Sequence, residues 1–259
     1  NLMLLNYQYQ QAKSETHQGT LVFIHGLFGS LSNLGMLVRA FENDYAIVQL
    51  DLRNHGESRH DDQIDYLVMA QDVLETLAHL NIQQFSLIGH SMGGKVAMKL
   101  TEIAGERLES IAILDIAPFA YQQRHHDQIF EALIAVEQAQ VSTRKEATEI
   151  MQSYIQEMGV IQFLLKSFQQ GQWKFNVKAL LAHYENIISW QEIEPWMKPT
   201  LFLKGEHSDY ISQDAHFESI QDQFPFSQLI IIKNAGHWLH AEQTIEVTEP
   251  LSIVEYLLD

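Results

Sequence analysis

The segment Gly89-His90-Ser91-Met92-Gly93-Gly94 constrains this chain more than any other, because it joins a strand-like run, Phe85 to Ile88, directly to a helix-like run, Lys95 to Ala104. A serine on so abrupt a turn must project Oγ away from the backbone while neighbouring chain passes close by. Glycines at positions 89 and 93 leave that space. Helix entry just after Ser91 also aims free N–H groups, that of Met92 first, at the place where negative charge would develop. This is the spacing of a nucleophile elbow. A Gly-rich turn without chemistry is the competing reading of the motif alone, and the flanking runs and partner residues argue against it.

The rest of the chain supplies the scaffold such an elbow needs. Short runs rich in Val, Ile, Leu and Phe read as buried strands: Met3 to Tyr9, Thr20 to Ile24, Tyr45 to Leu50, Phe85 to Ile88, Ser110 to Leu114, Thr200 to Leu203 and Gln228 to Ile232. Amphipathic helices are expected near Leu34 to Phe41, Tyr66 to Leu80 and Met92 to Ala104, and Pro250 suits the first turn of a closing helix ending near Leu258. The alternation predicts an α/β fold with a doubly wound, mostly parallel sheet. It is interrupted once. From Pro118 to Pro199 the pattern is helical throughout, which predicts a helical cap over residues 118–198 inserted into a core formed by 1–117 and 199–259. Apolar residues such as Ile129, Phe130, Phe163, Leu164, Tyr184 and Trp190 exceed what short helices need among themselves, so part of this set is expected to line an apolar pocket facing Ser91.

Composition excludes several classes. Lys plus Arg is 16 against 33 Asp plus Glu, a formal charge of −17, which disfavours nucleic acid and anionic lipid as partners. No apolar stretch approaches a membrane span, and no basic region followed by an apolar run opens the chain, so neither membrane insertion nor secretion is expected. The chain has no cysteine, which rules out disulfides and thiolate chemistry and fits a reducing, cytoplasmic setting. No His, Asp or Glu spacing suggests a metal site, and no cofactor is implied. Exposed cap aromatics would permit a homodimer as readily as a monomer.

A serine of ordinary acidity needs a base, a group that orients the base, and donors for an oxyanion. Among 13 histidines the base is expected at His237, in Asn234-Ala235-Gly236-His237-Trp238 after the last strand, where small residues let a loop carry imidazole over the sheet. His25 and His90 flank glycines and are expected to make structural hydrogen bonds, whereas His125, His126 and His240 read as surface or cap residues. Two carboxylates compete as orienter. Asp115 ends the strand after the nucleophile strand, at the carboxyl edge where open α/β sheets collect their ligands. Asp209 lies one residue beyond Ser208 in Gly205-Glu206-His207-Ser208-Asp209, a shift that aims it elsewhere. Asp115 is preferred, with Ser208 as an extra hydrogen-bonding partner of His237. The second oxyanion donor is expected from the backbone N–H of Leu27, in the turn His25-Gly26-Leu27-Phe28-Gly29-Ser30, with Phe28 beside it as a substrate contact. Arg53 reads as a salt-bridge residue.

With these residues in place the chain resembles the α/β-hydrolases over essentially its full length, and more narrowly the YbfF-type esterases. The matching segments are His25 to Ser30, Asp51-Leu52-Arg53-Asn54-His55-Gly56, Gly89 to Lys95, Asp115-Ile116-Ala117-Pro118, Arg124-His125-His126-Asp127 and Gly236-His237-Trp238. The resemblance implies a serine esterase or thioesterase acting on short acyl esters or acyl-CoA through an acyl-serine intermediate. It also implies Asp115 as the acid and a place for Ser208 in the hydrogen-bond system of the histidine. Asp209 is a departure from the family pattern and leaves open that both acids contribute. Acyl-CoA carries phosphates that an acidic protein repels unless a local basic patch seats them, and Arg124, Lys95, Lys204 and Lys233 are the candidates. A carbon–carbon bond hydrolase or a cofactor-free haloperoxidase would use the same residues, and a non-catalytic ligand-binding protein on the same fold is the alternative of another class.

Overall fold

The computed structural model describes residues 3–15 and 17–257. In chain order the elements begin with β1 (Tyr7–Gln10), β2 (Thr20–Ile24), α1 (Gly35–Phe41), β3 (Ala46–Leu50), α2 (Tyr66–His79), β4 (Phe85–His90), α3 (Met92–Leu100) and β5 (Leu108–Leu114). An insertion follows: α4 (Asp127–Ala139), α5 (Arg144–Met151), α6 (Met158–Leu165), β6 (Phe168–Gln169), β7 (Gln172–Trp173), α7 (Val177–Ala182) and α8 (Tyr184–Ile188). The sheet then resumes with β8 (Thr200–Gly205), α9 (Asp214–Gln223), β9 (Ser227–Ile232), α10 (Leu239–Glu242) and α11 (Thr244–Leu257).

Seven strands form one sheet in the order β1-β3-β2-β4-β5-β8-β9, parallel throughout except for β1 against β3. Alternate residues of each strand enter opposite apolar layers: Val22 and Ile24 pack with α2, α3 and the insertion, while Leu21 and Phe23 pack with α1 and α11. Both faces are therefore covered, which is why the strands are continuously apolar rather than alternating. The chain reverses direction across the sheet between β2 and β4, and the register puts Gly89 opposite both Ile24 and Ile113. That register sets the carboxyl ends of β2, β4 and β5 side by side, the place where open α/β sheets form their crevice.

Several elements differ from the pattern expected of them. The first strand pairs only over Tyr7–Gln10; Met3 and Leu5 are buried, but the chain there is held by side-chain acceptors, with Leu5 N donating to Thr76 Oγ1 at 3.0 Å. Helix α3 ends at Leu100 rather than Ala104, because the chain tightens through Thr101 N to Met98 O and Glu102 N to Lys99 O bonds before Gly105 turns at φ +59°. The insertion is not wholly helical. Phe168–Gln169 and Gln172–Trp173 form a small hairpin whose turn residues, Gln170 and Gly171, both take positive φ. The last helix starts at Thr244, so Pro250 lies inside it and not in its first turn, and Leu258 lies outside the described residues. No helix among the described residues is long and apolar enough to cross a membrane.

Candidate active site

Each side chain of the site leaves the carboxyl end of a strand. Ser91 follows β4 directly and sits at φ 56°, ψ −121°, a conformation a non-glycine residue holds only when its surroundings impose it. They do so here: Ser91 N donates to Leu114 O at 3.0 Å, and Ser91 O accepts from Gly94 N and Lys95 N of α3. The two glycines explain the tightness. A Cβ at Gly89 would lie 2.3 Å from Gly93 O, and one at Gly93 would lie 2.3 Å from Ile24 O.

Asp115 follows β5, also at positive φ (58°), and its carboxylate is wholly buried. Oδ1 accepts from Gly205 N at 3.0 Å, and Oδ2 accepts from Ser208 Oγ at 2.5 Å and from His237 Nδ1 at 2.6 Å. With Nδ1–H committed to the carboxylate, Nε2 of His237 is left to accept, and it stands 2.9 Å from Ser91 Oγ. The imidazole is fixed from both sides. Tyr210 stacks on it at 4.2 Å, and the backbone carbonyl of His237 meets His90 Nε2 at 2.8 Å.

The loop after β2 is held by two neutral histidines. His25 Nε2 accepts from Leu52 N at 3.0 Å, so its Nδ1–H faces Gly26 O at 2.7 Å. His55 Nε2 accepts from Phe28 N at 3.1 Å, leaving Nδ1–H for Arg53 O at 2.9 Å. Burial lowers the pKa of His25 to about 4 and of His55 to about 3, so neither ring carries charge near the serine at neutral pH. In this loop Phe28 takes φ 66°. The N–H groups of Leu27 and Met92 have no hydrogen-bond partner among the described residues, and both residues line the cavity that holds Ser91. Two unpaired N–H groups beside a serine can donate to negative charge on an oxygen held there.

That cavity has a volume of about 690 Å³ and is walled by sheet-edge loops and by the insertion, which contributes Ile129, Phe163, Leu164 and Tyr184. Phe130, Phe175 and Trp173 of the insertion are buried in the shared core instead.

A model of the alpha/beta hydrolase family matches residues 21–249. The chain belongs to that family. It is 44% identical to Esterase YbfF of Escherichia coli over 257 residues, 99% of this chain and 100% of that one. It is 34% identical to the sn-1-specific diacylglycerol lipase ABHD11 of Mus musculus, over 94% of this chain and 83% of that one. Among solved structures, a marine microorganism esterase superimposes with a TM-score of 0.90 at 33% identity, covering 96% of this chain and 98% of that one.

The other expected residues fall as follows in this hydrolase. Asp209 is exposed, and its backbone carbonyl accepts from Ser212 Oγ at 2.7 Å. Ser208, three residues past Gly205, donates its hydroxyl to Asp115 Oδ2 and not to the His237 ring, and its Oγ accepts from Tyr210 N. Phe28 lines the cavity and packs edge-on against Phe130 at 5.3 Å. Arg124 lies off the cavity, paired with Asp127 at 2.9 Å and Glu185 at 2.6 Å. Arg53 pairs with Asp72 at 2.6 Å in the interior.

Lys95 is fully buried: its Nζ donates to Ile188 O and Ser189 O, each at 3.1 Å, and lies 4.8 Å from the centre of the Tyr121 ring. Burial without a carboxylate partner lowers its pKa to about 7. Lys204 is buried beside Phe217, and Lys233 is exposed and off the cavity. His240, expected as a surface or cap residue, is buried in the core part of the chain, its ring 4.4 Å from that of His90. Tyr210 and Tyr121 escaped the sequence reading. Their hydrogen bond, Tyr121 OH to Tyr210 O at 2.6 Å, joins loops 89 residues apart, and no local pattern announces it.

Proposed function

We propose that this hydrolase cleaves neutral carboxylic esters through an acyl-serine intermediate formed under a cap made by residues 118–198. Ser91 Oγ bonds to the ester carbonyl carbon as its proton passes to His237 Nε2, and Asp115 stabilises the imidazolium that results. The Leu27 and Met92 N–H groups bind the oxyanion. Collapse breaks the bond to the alcohol oxygen, which leaves with the proton from His237. A water molecule then repeats the sequence on the acyl-serine and releases the acid. No step calls for a metal or an organic cofactor.

The observation that carries this reading is the unbroken chain Ser91 Oγ, His237 Nε2, His237 Nδ1, Asp115 Oδ2, at 2.9 and 2.6 Å, beside two unpaired N–H groups. The relatives named as an esterase and a diacylglycerol lipase support ester hydrolysis as the reaction class. The formal charge of −17 favours neutral esters over acyl-CoA. Of the four cations considered for a phosphate seat only Lys95 reaches the cavity, and its donors face cap carbonyls; the other lysine on the lining, Lys166, is a single exposed cation.

The test is hydrolysis of p-nitrophenyl esters beside acyl-CoA thioesters of matched chain length, with Ser91→Ala as the blank. Esters are expected to turn over faster than thioesters, and Ser91→Ala to lose about 10³-fold or more. Turnover that survives Ser91→Ala, or none on any ester of the wild type, overturns the proposal.

A further inference from the structure

We infer that His126 sets substrate specificity: its Nε2–H is a hydrogen-bond donor held at the cavity wall for an oxygen of the substrate other than those of the scissile ester. The inference rests on the esterase reading above and deepens it by naming a substrate class.

His126 immediately precedes α4 and lines the cavity together with Tyr184, which opens α8. Its Nδ1 lies 2.5 Å from the Tyr184 hydroxyl. Burial raises the tyrosine's pKa, so the hydroxyl keeps its proton. Tyr184 is 1% exposed, and Nδ1 is the one partner of its hydroxyl among the described residues, so the hydroxyl's hydrogen goes to Nδ1. Burial lowers the pKa of His126 to about 4, so at neutral pH the ring has one N–H. Nδ1 being the acceptor, that proton resides on Nε2.

Nothing among the described residues accepts from Nε2. The ring itself is fixed, with Phe28 edge-on at 6.1 Å and Tyr184 at 5.5 Å between centroids. His126 lines the same cavity as Ser91 and His237. The adjoining wall is apolar, built from Phe28 and Ile129. A fixed donor in such a wall is hydrated while the cavity is open and is stranded when a hydrocarbon chain displaces the water. An ether, hydroxyl or second ester oxygen a few bonds from the scissile carbonyl satisfies it. Substrates with such an oxygen are therefore preferred to hydrocarbon esters of the same length, and glycerides carry one on the alcohol side.

Two measurements test this, one of them independent of turnover. In protein labelled with 15N-imidazole, the His126 signals, assigned by their loss in His126→Phe, are expected to be those of a neutral ring protonated at Nε2. A ring protonated at Nδ1 overturns the inference whatever the enzyme hydrolyses. Matched esters then locate the oxygen: 2-ethoxyethyl against pentyl butyrate for the alcohol side, and ethyl 3-methoxypropanoate against ethyl pentanoate for the acyl side. In one pair His126→Phe is expected to lower kcat/KM about tenfold more for the oxygen-bearing member, the discrimination of one neutral hydrogen bond. His126→Gln, with an amide N–H near the position of Nε2, is expected to restore part of it. Equal losses on both members of both pairs overturn the inference. Absence of turnover on all four esters instead removes the esterase reading, while the tautomer result stands by itself.

Discussion

At the scale of single residues, the carboxylate of Asp115 has the most to account for. It is wholly buried and accepts three hydrogen bonds, from Gly205 N, Ser208 Oγ and His237 Nδ1. An amide in its place cannot accept from Nδ1–H on the same terms and favours the wrong imidazole tautomer. Asp115→Asn is expected to lower kcat by about 10³-fold or more, whereas Asp209→Asn, on an exposed side chain, is expected to change it less than about twofold. Comparable losses in the two variants would mean that the acids share the role. Ser208→Ala removes one donor and leaves the geometry of His237 otherwise intact, so a loss of about tenfold in kcat with KM unchanged is expected from steady-state kinetics.

At the scale of elements, the side chain of Lys95 ties the insertion to α3. Lys95, a turn beyond Ser91 on α3, donates to the carbonyls of Ile188 and Ser189 at the end of α8 and lies among the rings of Tyr66, Tyr121 and Trp190. Lys95→Met preserves volume but strands two carbonyls, each a penalty of about 1–3 kcal/mol when buried. A lower Tm and faster amide exchange across 184–190 are expected, and exchange confined to other segments would show that the tie is not there. The hairpin inside the insertion was not legible as such, since two-residue strands are too short for any periodicity, and only the turn pair Gln170-Gly171 hints at it. The seven sheet strands were legible because burial on both faces demands unbroken apolar runs. Their ends were not, because side-chain acceptors such as Thr76 Oγ1 replace the ladder at Leu5.

For the molecule as a whole, buried neutral histidines set the response to acid. Burial lowers His25 and His126 to about 4 and His55 and His240 to about 3, against about 6.5 for the unfolded chain. Between those values the unfolded chain binds protons that the folded one refuses, so stability falls as pH falls from about 6.5 toward 4. Each such histidine steepens the decline by up to about 1.4 kcal/mol per pH unit. Urea unfolding at pH 7.5, 6 and 5 is expected to show the midpoint dropping at each step, and a midpoint constant over that range would contradict neutral burial of these rings.

The sequence by itself determined the elements that repeat a physical rule. Glycines at 89 and 93 around Ser91 and apolar runs of sheet length follow from local sterics and burial. Tertiary structure alone decided which polar groups meet. It set Ser208 on the carboxylate rather than on the imidazole, buried Lys95 against carbonyls of the insertion where a phosphate seat had been considered, and put Nδ1 of His126 on a tyrosine 58 residues away. A hydrogen bond depends on two groups arriving at one point with the right orientation, and over such separations that meeting is fixed by how the layers pack, which no spacing along the chain encodes.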